Sequence, residues 1–274
     1  MRPTLRYPAV LALLVTAGLL GAAIAAAARS AVTPPPAIKS AGQIVYCSDI
    51  TYPPEESFQG TKPVGSDIDI GTAVAKQMGV KAVFKNTTFD SIIAALKAKK
   101  CDAIISGMND TPDRRKQVDF VDYLKVGQSV MVKKGNPEHI SSLASLSGKK
   151  VSVESGTTNR DFLAAQSAKL TKAGKKAISI VTFPKDTDAA AALKAGRVDA
   201  YFGDSPVVVH YAATDKSFAV GGSPVNPILI GIAIRKRDPL RPATQKAINA
   251  LYANGTIKKI VARWGMSHAV TLLK

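Results

Sequence analysis

Residues 94–103 read AALKAKKCDA and residues 191–200 read AALKAGRVDA. Each copy runs into an apolar stretch and then into a hydroxyl–proline pair, Thr111-Pro112 after the first and Ser205-Pro206 after the second. Such a pair reads as a helix start, with a hydroxyl to cap free amides and a proline at the first helical position. A chain that spells helix, strand and helix start twice in the same words is constrained to two units built to one plan. The flanking sequence keeps that grammar. "QIVYCSD", "KAVFKN" and "CDAIISGM" predict strands, as do "KKVSVES", "ISIVTFP" and "RVDAYFG". "SDIDIGTAVAKQMG" predicts a helix with Ile70, Ala73, Val74 and Met78 inward, Ser66 or Asp67 as cap and Gly79 as stop. "FDSIIAALKAKK" predicts a helix with Ile92, Ile93 and Leu96 inward, and "GTTNRDFLAAQSA", "DTDAAAALKAG" and "DSPVVVHYAA" predict helices in the second unit. Strand and helix in turn imply α/β lobes, each a parallel sheet covered by helices, and ligands sit beyond the carboxyl ends of such strands. Two lobes facing one cleft are expected, with crossovers near residues 126 and 228. "GTIKKIVARWG" then returns to the first lobe as an amphipathic helix with Ile257, Ile260, Val261 and Trp264 on one side.

The first residues are of another kind. Arg2 and Arg6 precede an uncharged run from Ala9 to Ala28 that ends in small residues. A basic start, an apolar centre and a small-residue end describe a cleavable export signal. The run approaches membrane-spanning length, but its alanine-rich end favours cleavage after Ala28. No cysteine directly follows it, which argues against a lipid anchor. The expected organisation is a signal peptide at 1–28 and a disordered, proline-stiffened leader at 29–41. Lobe one then covers 42–125, lobe two 126–228, and the return segment 229–274. The protein is therefore expected outside the cytoplasm.

Formal net charge is +17 over 274 residues. The lysines come as scattered pairs and aromatics are few, so solvated basic faces are expected rather than a nucleic-acid surface. An exported chain is permitted disulfides. Its two cysteines, Cys47 and Cys101, fall in different predicted strands at different heights, so two buried thiols are expected rather than a bridge. No CxxC, no His/Cys metal spacing and no cofactor fingerprint occurs, so neither metal nor cofactor is expected.

One local feature is electrostatically odd. Arg114 and Arg115 fall in the first turn of the helix opened by Thr111-Pro112, where helices favour acids. A small anion gripped by arginine and helix amides would resolve this; an ion pair with Asp113 or Asp119 is the plainer alternative.

At this point the sequence resembles the extracellular solute-binding proteins of polar amino-acid ABC importers (family 3, type II periplasmic-binding-protein fold). The likeness runs from about Gly42 to Trp264, through "SDITYPP", "VGSDIDIGTAVAKQMGV", "FDSIIAALKAKKCDAIISGMNDTPDRRKQVDF", "LSGKKVSVESGTT", "AGRVDAYFGDSP", "GIAIRKRD" and "NGTIKKIVARWG". The resemblance implies roles. Arg114 matches the arginine that grips a ligand's α-carboxylate, and its planar fork suits bidentate pairing. Ser106, Asn109 and the backbone of Gly107 and Met108 match the loop that touches carboxylate and amine. The family often has Ser or Thr where Asn109 stands. Thr158 matches the second-lobe hydroxyl that closes on the carboxylate, and a plain helix cap is the alternative. Asp204 matches the acid that takes the α-ammonium, and Asp49 is placed to help it. Tyr52 matches the aromatic beside the ligand side chain, with Phe89 either its partner wall or core. Glu55 stands where the family commonly has an aromatic, either facing the ligand or pointing to solvent at the rim. Glu154 matches a variable position that can face the ligand.

Added carboxylates suggest a basic or strongly polar amino acid, or an opine-like relative. Capture by cleft closure and delivery to a membrane permease, by a monomer that is not an enzyme, is the implied function. The alternative is a cyclohexadienyl (prephenate/arogenate) dehydratase on the same fold, with Glu55 or Glu154 as general acid. A receptor's sensor module is disfavoured, because no further apolar span follows.

Overall fold

The computed structural model of the protein describes residues 32–273. The export signal and residues 29–31 lie outside them. The rest of the expected leader is ordered instead. Helix α1 (Pro36–Ala41) starts on the proline run, and Val32 and Ile38 are buried in the first core. Pro36 occupies a position where a missing amide costs nothing, and the two apolar side chains anchor the segment.

The first half contains β1 (Gln43–Ser48), a hairpin of β2 (Ser57–Gln59) and β3 (Lys62–Val64), α2 (Ser66–Gln77), β4 (Lys81–Asn86), α3 (Ile92–Lys97), β5 (Ala103–Ile104) and the single turn α4 (Pro112–Arg115). The long strand β6 (Val118–Lys133) leads to β7 (Lys150–Glu154), α5 (Thr158–Lys172), β8 (Ser179–Phe183), α6 (Asp186–Lys194), β9 (Ala200–Asp204), α7 (Ser205–Thr214) and β10 (Phe218–Val220). The chain returns through β11 (Val225–Arg235), α8 (Leu240–Ala253), α9 (Thr256–Arg263) and β12 (Val270–Thr271). The two repeat copies fall on α3–β5 and on α6–β9.

These strands form one sheet in the order β4-β1-β5-β11-β6-β9-β7-β8, with β10 and β12 joined to β6. It is two parallel half-sheets, β4-β1-β5 and β9-β7-β8, sewn together by antiparallel strands. Residues 118–128 of β6 pair with β11, and residues 128–131 pair with β9. The strand therefore changes partner at Gln128, and β11 shows a register shift between Val225 and Ile228. Each half has its own apolar core. Ile44, Ile70, Val74, Ile232, Leu251, Ile257 and Ile260 belong to the first; Val151, Val153, Leu163, Ala200 and Phe202 belong to the second. Trp264 packs against the first core and donates its indole N–H to Asp69 at 2.6 Å.

Three local expectations need correction. Neither Ser66 nor Asp67 caps α2: the cap position is Gly65, and Asp67 lies wholly buried in the first turn. Asp204, not Ser205, holds the cap position of α7. Cys47 and Cys101 form a disulfide, with Cα atoms 5.6 Å apart. Cys101 lies in the turn before β5 rather than in the strand, so strand register does not fix its height. The turn folds it onto the face that carries Cys47, Ile92 and Leu96.

Candidate functional site

The carboxyl ends of β1, β5, β7 and β9 converge, which brings Asp49, Ser106, Glu154 and Asp204 to one place. Asp49 follows β1. Its carboxylate accepts from the Thr51 hydroxyl and from the Phe89 amide, each at 2.7 Å. Ser106 follows β5. Its hydroxyl accepts from the Asp49 amide at 2.8 Å and donates to Glu56 Oε1 at 2.7 Å. The next amide, Gly107 N–H, donates to Asp67 Oδ2 at 2.7 Å. In a trans peptide the N–H and the preceding C=O point opposite ways, so the Ser106 carbonyl is directed away from Asp67. Gly107 has φ +50°, and a Cβ there would meet the Tyr52 ring at 3.2 Å. Glycine is required for that backbone and that close approach.

Thr111 caps α4 by accepting from the Arg114 amide at 3.2 Å. The Arg114 guanidinium donates to the Asn109 carbonyl at 2.9 Å and, across the cleft, to the Gly156 carbonyl at 3.2 Å. It lies over the Phe89 ring, 5.3 Å from its centroid. The neighbouring acids are engaged elsewhere: Asp113 pairs with Lys116 and Asp119 with Lys236. Burial pulls Arg114 below the ordinary guanidinium value, and Asp204, Asp161 and Asp110 pull it back. Arg114 is thus a cation held mainly by carbonyls.

On the second half, Thr157 caps α5, accepting from the Arg160 amide at 3.2 Å and donating to the Glu154 carbonyl at 2.8 Å. The cap is therefore Thr157 rather than Thr158, which instead donates its hydroxyl to Asn109 Oδ1 across the cleft. Asp204 Oδ1 accepts from Asn159 Nδ2 at 3.2 Å, and the Asp204 amide donates to the Tyr52 hydroxyl at 3.1 Å. Tyr52 itself packs with second-half residues such as Met131, Ala189 and Val207. Gly156 sits so close that a Cβ there would lie 2.8 Å from Asp90 Cα. These contacts hold the two halves shut on one another.

They close tightly over a small space lined by Asp49, Tyr52, Phe89, Ser106, Gly107, Asn109, Glu154, Thr157, Asn159 and Asp204. Its walls are acidic. Burial pushes Asp204 up to about 6, against the pull of the Asn159 amide and of Arg114. Burial raises Asp49, and it lifts Glu154 well above the usual carboxylate range, helped by Asp186, Asp49 and Asp204. Glu154 Oε1 and Asn159 Oδ1 are buried without a hydrogen-bonding partner. Such acceptors are costly unless a donor arrives.

Eight residues singled out in the sequence line this cavity; Thr157 and Asn159 were missed. Asn159 was legible in principle, since the second residue of a helix that starts at the cleft points forward from it. Four of the expected residues stand elsewhere. Arg114 lies at the cavity's edge and Thr158 on the seam. Met108 turns its side chain into the core with Cys47 and Ile92, and its carbonyl accepts from the Gly231 amide at 3.0 Å. Glu55 lies neither at the solvent rim nor on the cavity wall. It is 1% exposed and stands behind Gly107 and Tyr52.

The model of the bacterial extracellular solute-binding proteins, family 3, matches residues 44–267. The chain belongs to that family. It is 34% identical over 232 residues to "ABC transporter arginine-binding protein 1" of Escherichia coli (strain K12), covering 82% of this chain and 91% of the relative. It is 33% identical over 228 residues to the "Histidine-binding periplasmic protein" of Salmonella typhimurium, covering 79% and 85%. Among solved structures, an ancestral arginine-binding protein bound to arginine superposes with a TM-score of 0.75 at 36% identity, covering 81% of this chain and 98% of that one. The ancestral amino-acid-binding protein AncCDT-1, a precursor of cyclohexadienyl dehydratase, gives 0.76 at 34% identity, covering 83% and 97%. The two-lobe type II fold is thus established. The relatives it resembles are named for binding arginine and histidine. Among the described residues no helix is long and apolar enough to cross a membrane.

Proposed function

We propose that this protein captures L-arginine, or a close basic analogue, between its lobes and presents it to the membrane permease of an ABC importer. The observation that carries the reading is the sign of the cavity. Asp49, Glu154 and Asp204 line it, and the cation at its edge is Arg114. The ligand's α-carboxylate meets Arg114, with Asn109 and Thr158 beside it. The α-ammonium meets Asp204 and the outward Ser106 carbonyl. The cationic side chain lies past Tyr52 and Phe89 toward Asp49 and Glu154, where a guanidinium supplies donors to the unpartnered oxygen. The arginine-binding names among the relatives support the same ligand.

Residues 42–125 and 229–274 would form one lobe and 126–228 the other, with the partner switch at Gln128 as the hinge. Export by a signal peptide at residues 1–28 places capture in the periplasm. Closure excludes water, which strengthens every charge-assisted bond inside. Prephenate is a dianion, and three carboxylates in the wall disfavour it, so binding is preferred over a dehydratase activity. Calorimetric titration with arginine, lysine, histidine, glutamine and glutamate tests this. Arginine binds tightest, with glutamine weaker by roughly tenfold or more, as expected for loss of a charge-assisted contact. Preference for glutamate, or phenylpyruvate formed from prephenate, would overturn the reading.

A further inference from the structure

Beneath the cavity floor lie two carboxyl groups that never reach the cavity. Glu56 and Asp67 are both 0% exposed. Glu56 Oε1 accepts from the Ser106 hydroxyl, and Asp67 accepts from the Gly107 amide and, at 2.7 Å, from the Tyr123 hydroxyl. Glu56 Oε2 is buried with no hydrogen-bonding partner, and the two carboxyls hold the consecutive residues Ser106 and Gly107. Two carboxyls buried together without a cation are disfavoured from both being charged, and one proton between them relieves this. The titratable groups that bear on the pair are Glu55, Asp49 and Tyr123, acids or a phenol in every case. Nothing among these supports a doubly charged pair.

We propose that Glu56 and Asp67 share a single proton, carried on Glu56, and act together as positioning residues for ligand capture. Their donor and acceptor pattern leaves one arrangement of the floor. The Ser106 hydroxyl has one proton, committed to Glu56, while its lone pair receives the Asp49 amide. The Gly107 amide is committed to Asp67, and this turns the Ser106 carbonyl the other way, toward the cavity. The carbonyl is then presented as a fixed acceptor for a ligand ammonium, and Asp49 is held from behind. Through Tyr123 the same carboxyl is tied to β6, the strand that passes from one half of the molecule to the other. The burial of both groups favours the neutral partner, and the hydrogen bonds given to Asp67 favour its charge.

The inference rests on the cavity being the ligand site, and the experiment separates the two. L-Arginine affinity is measured by calorimetry for the wild type, Glu56→Ala, Glu56→Gln and Asp67→Asn, with folding checked by circular dichroism. Failure of the wild type to bind arginine would refute the proposed ligand and leave the pair to be judged spectroscopically. Glutamine at 56 reproduces the protonated acid, with an oxygen for Ser106 and an N–H for Asp67. Alanine leaves the Ser106 hydroxyl without its acceptor. The expected result is a loss of about tenfold or more for Glu56→Ala, recovered by Glu56→Gln. Asp67→Asn is not tolerated in the same way: its oxygen can still serve Gly107 and Tyr123, which both reach Oδ2, but its NH2 then replaces the oxygen that accepts the proton of Glu56. Recovery by Asp67→Asn but not by Glu56→Gln would overturn the assignment of the proton, and wild-type affinity for Glu56→Ala would overturn the positioning role. If the variants with lost hydrogen bonds fail to fold, infrared spectroscopy of the wild type against Glu56→Gln decides. Other buried acids also absorb as protonated carboxyls, so the protonated-carboxyl carbonyl absorption at neutral pH must lose one component on the substitution; an absorption unchanged by it sinks the proposal.

Discussion

Tyr52 of the first half accepts a hydrogen bond at 3.1 Å from the backbone amide of Asp204 in the second. The same Tyr52 ring covers Gly107, and the same Asp204 carboxylate faces the cavity. One contact therefore spans the cleft, covers the floor and anchors the acid that the proposed ligand ammonium would meet. Closure and ligand recognition are built from the same side chains.

Tyr52→Phe removes only that hydroxyl. The ring and its packing remain, but the buried Asp204 amide loses its acceptor at closure. An orphaned amide of this kind costs about 1–3 kcal/mol. Arginine affinity should fall accordingly, chiefly through faster dissociation, as stopped-flow release would show. An unchanged dissociation rate would mean the contact contributes nothing to the closed state.

Arg114→Ala should be severe, and Arg114→Lys nearly as severe. The guanidinium bridges the Asn109 and Gly156 carbonyls while lying on Phe89, and one ammonium cannot reproduce that fork. Leaving a buried ligand carboxylate without its cation costs about 3–5 kcal/mol. Calorimetry on both variants checks this. A lysine variant within tenfold of the wild type would show that charge alone matters.

The repeat in the sequence was enough to locate two helix–strand units, because strand and helix periodicity is local. The strand pattern and the family likeness placed Asp49, Glu154 and Asp204, which stand at or just past the carboxyl ends of parallel strands. What the sequence hid were choices made by neighbours. Thr157 and Thr158 differ by one position, and only the helix start decides which caps and which crosses the cleft. The Gly107 amide could have faced a ligand; Asp67, from a helix forty residues earlier, takes it instead. Glu55 looked like a rim or wall residue from the family position it matches, which carries no sign that its side chain turns behind Gly107 and Tyr52. Cys101 was assigned a strand position, although a two-residue turn releases it to reach Cys47.

The disulfide closes a loop across 54 positions, from β1 to the turn before β5. Restricting that loop in the unfolded chain stabilises the fold by about 4 kcal/mol on a chain-entropy basis. Cys47→Ala with Cys101→Ala should lower the melting temperature by several degrees, roughly ΔΔG divided by the unfolding entropy. Reduction of the wild type by dithiothreitol should do the same. Equal melting temperatures with and without reductant would show that the bond does not constrain the unfolded ensemble.

The ligand-free protein should also respond to pH with the sign opposite to that of ordinary surface acids. Burial lifts Asp186 to about 7, and Asp67 and Asp204 to about 6. Between the ordinary carboxylate value near 4 and these raised values, the folded protein holds protons that the unfolded chain has released. Their contribution to stability is therefore complete below about pH 4 and is lost as the pH rises through 6 to 7. Partly exposed acids held low by lysines, such as Asp215 and Glu138, act the other way, but only in stronger acid. The melting temperature of the empty protein should consequently be higher at pH 5 than at pH 8. A bound guanidinium changes the balance, because a cation beside Asp204, Asp49 and Glu154 favours their charged forms. Arginine should expel protons on binding at pH 6 and flatten the decline in melting temperature. Titrations in two buffers of different ionisation enthalpy measure the protons directly. Proton uptake instead of release would mean that the ligand's positive charge does not sit among these acids.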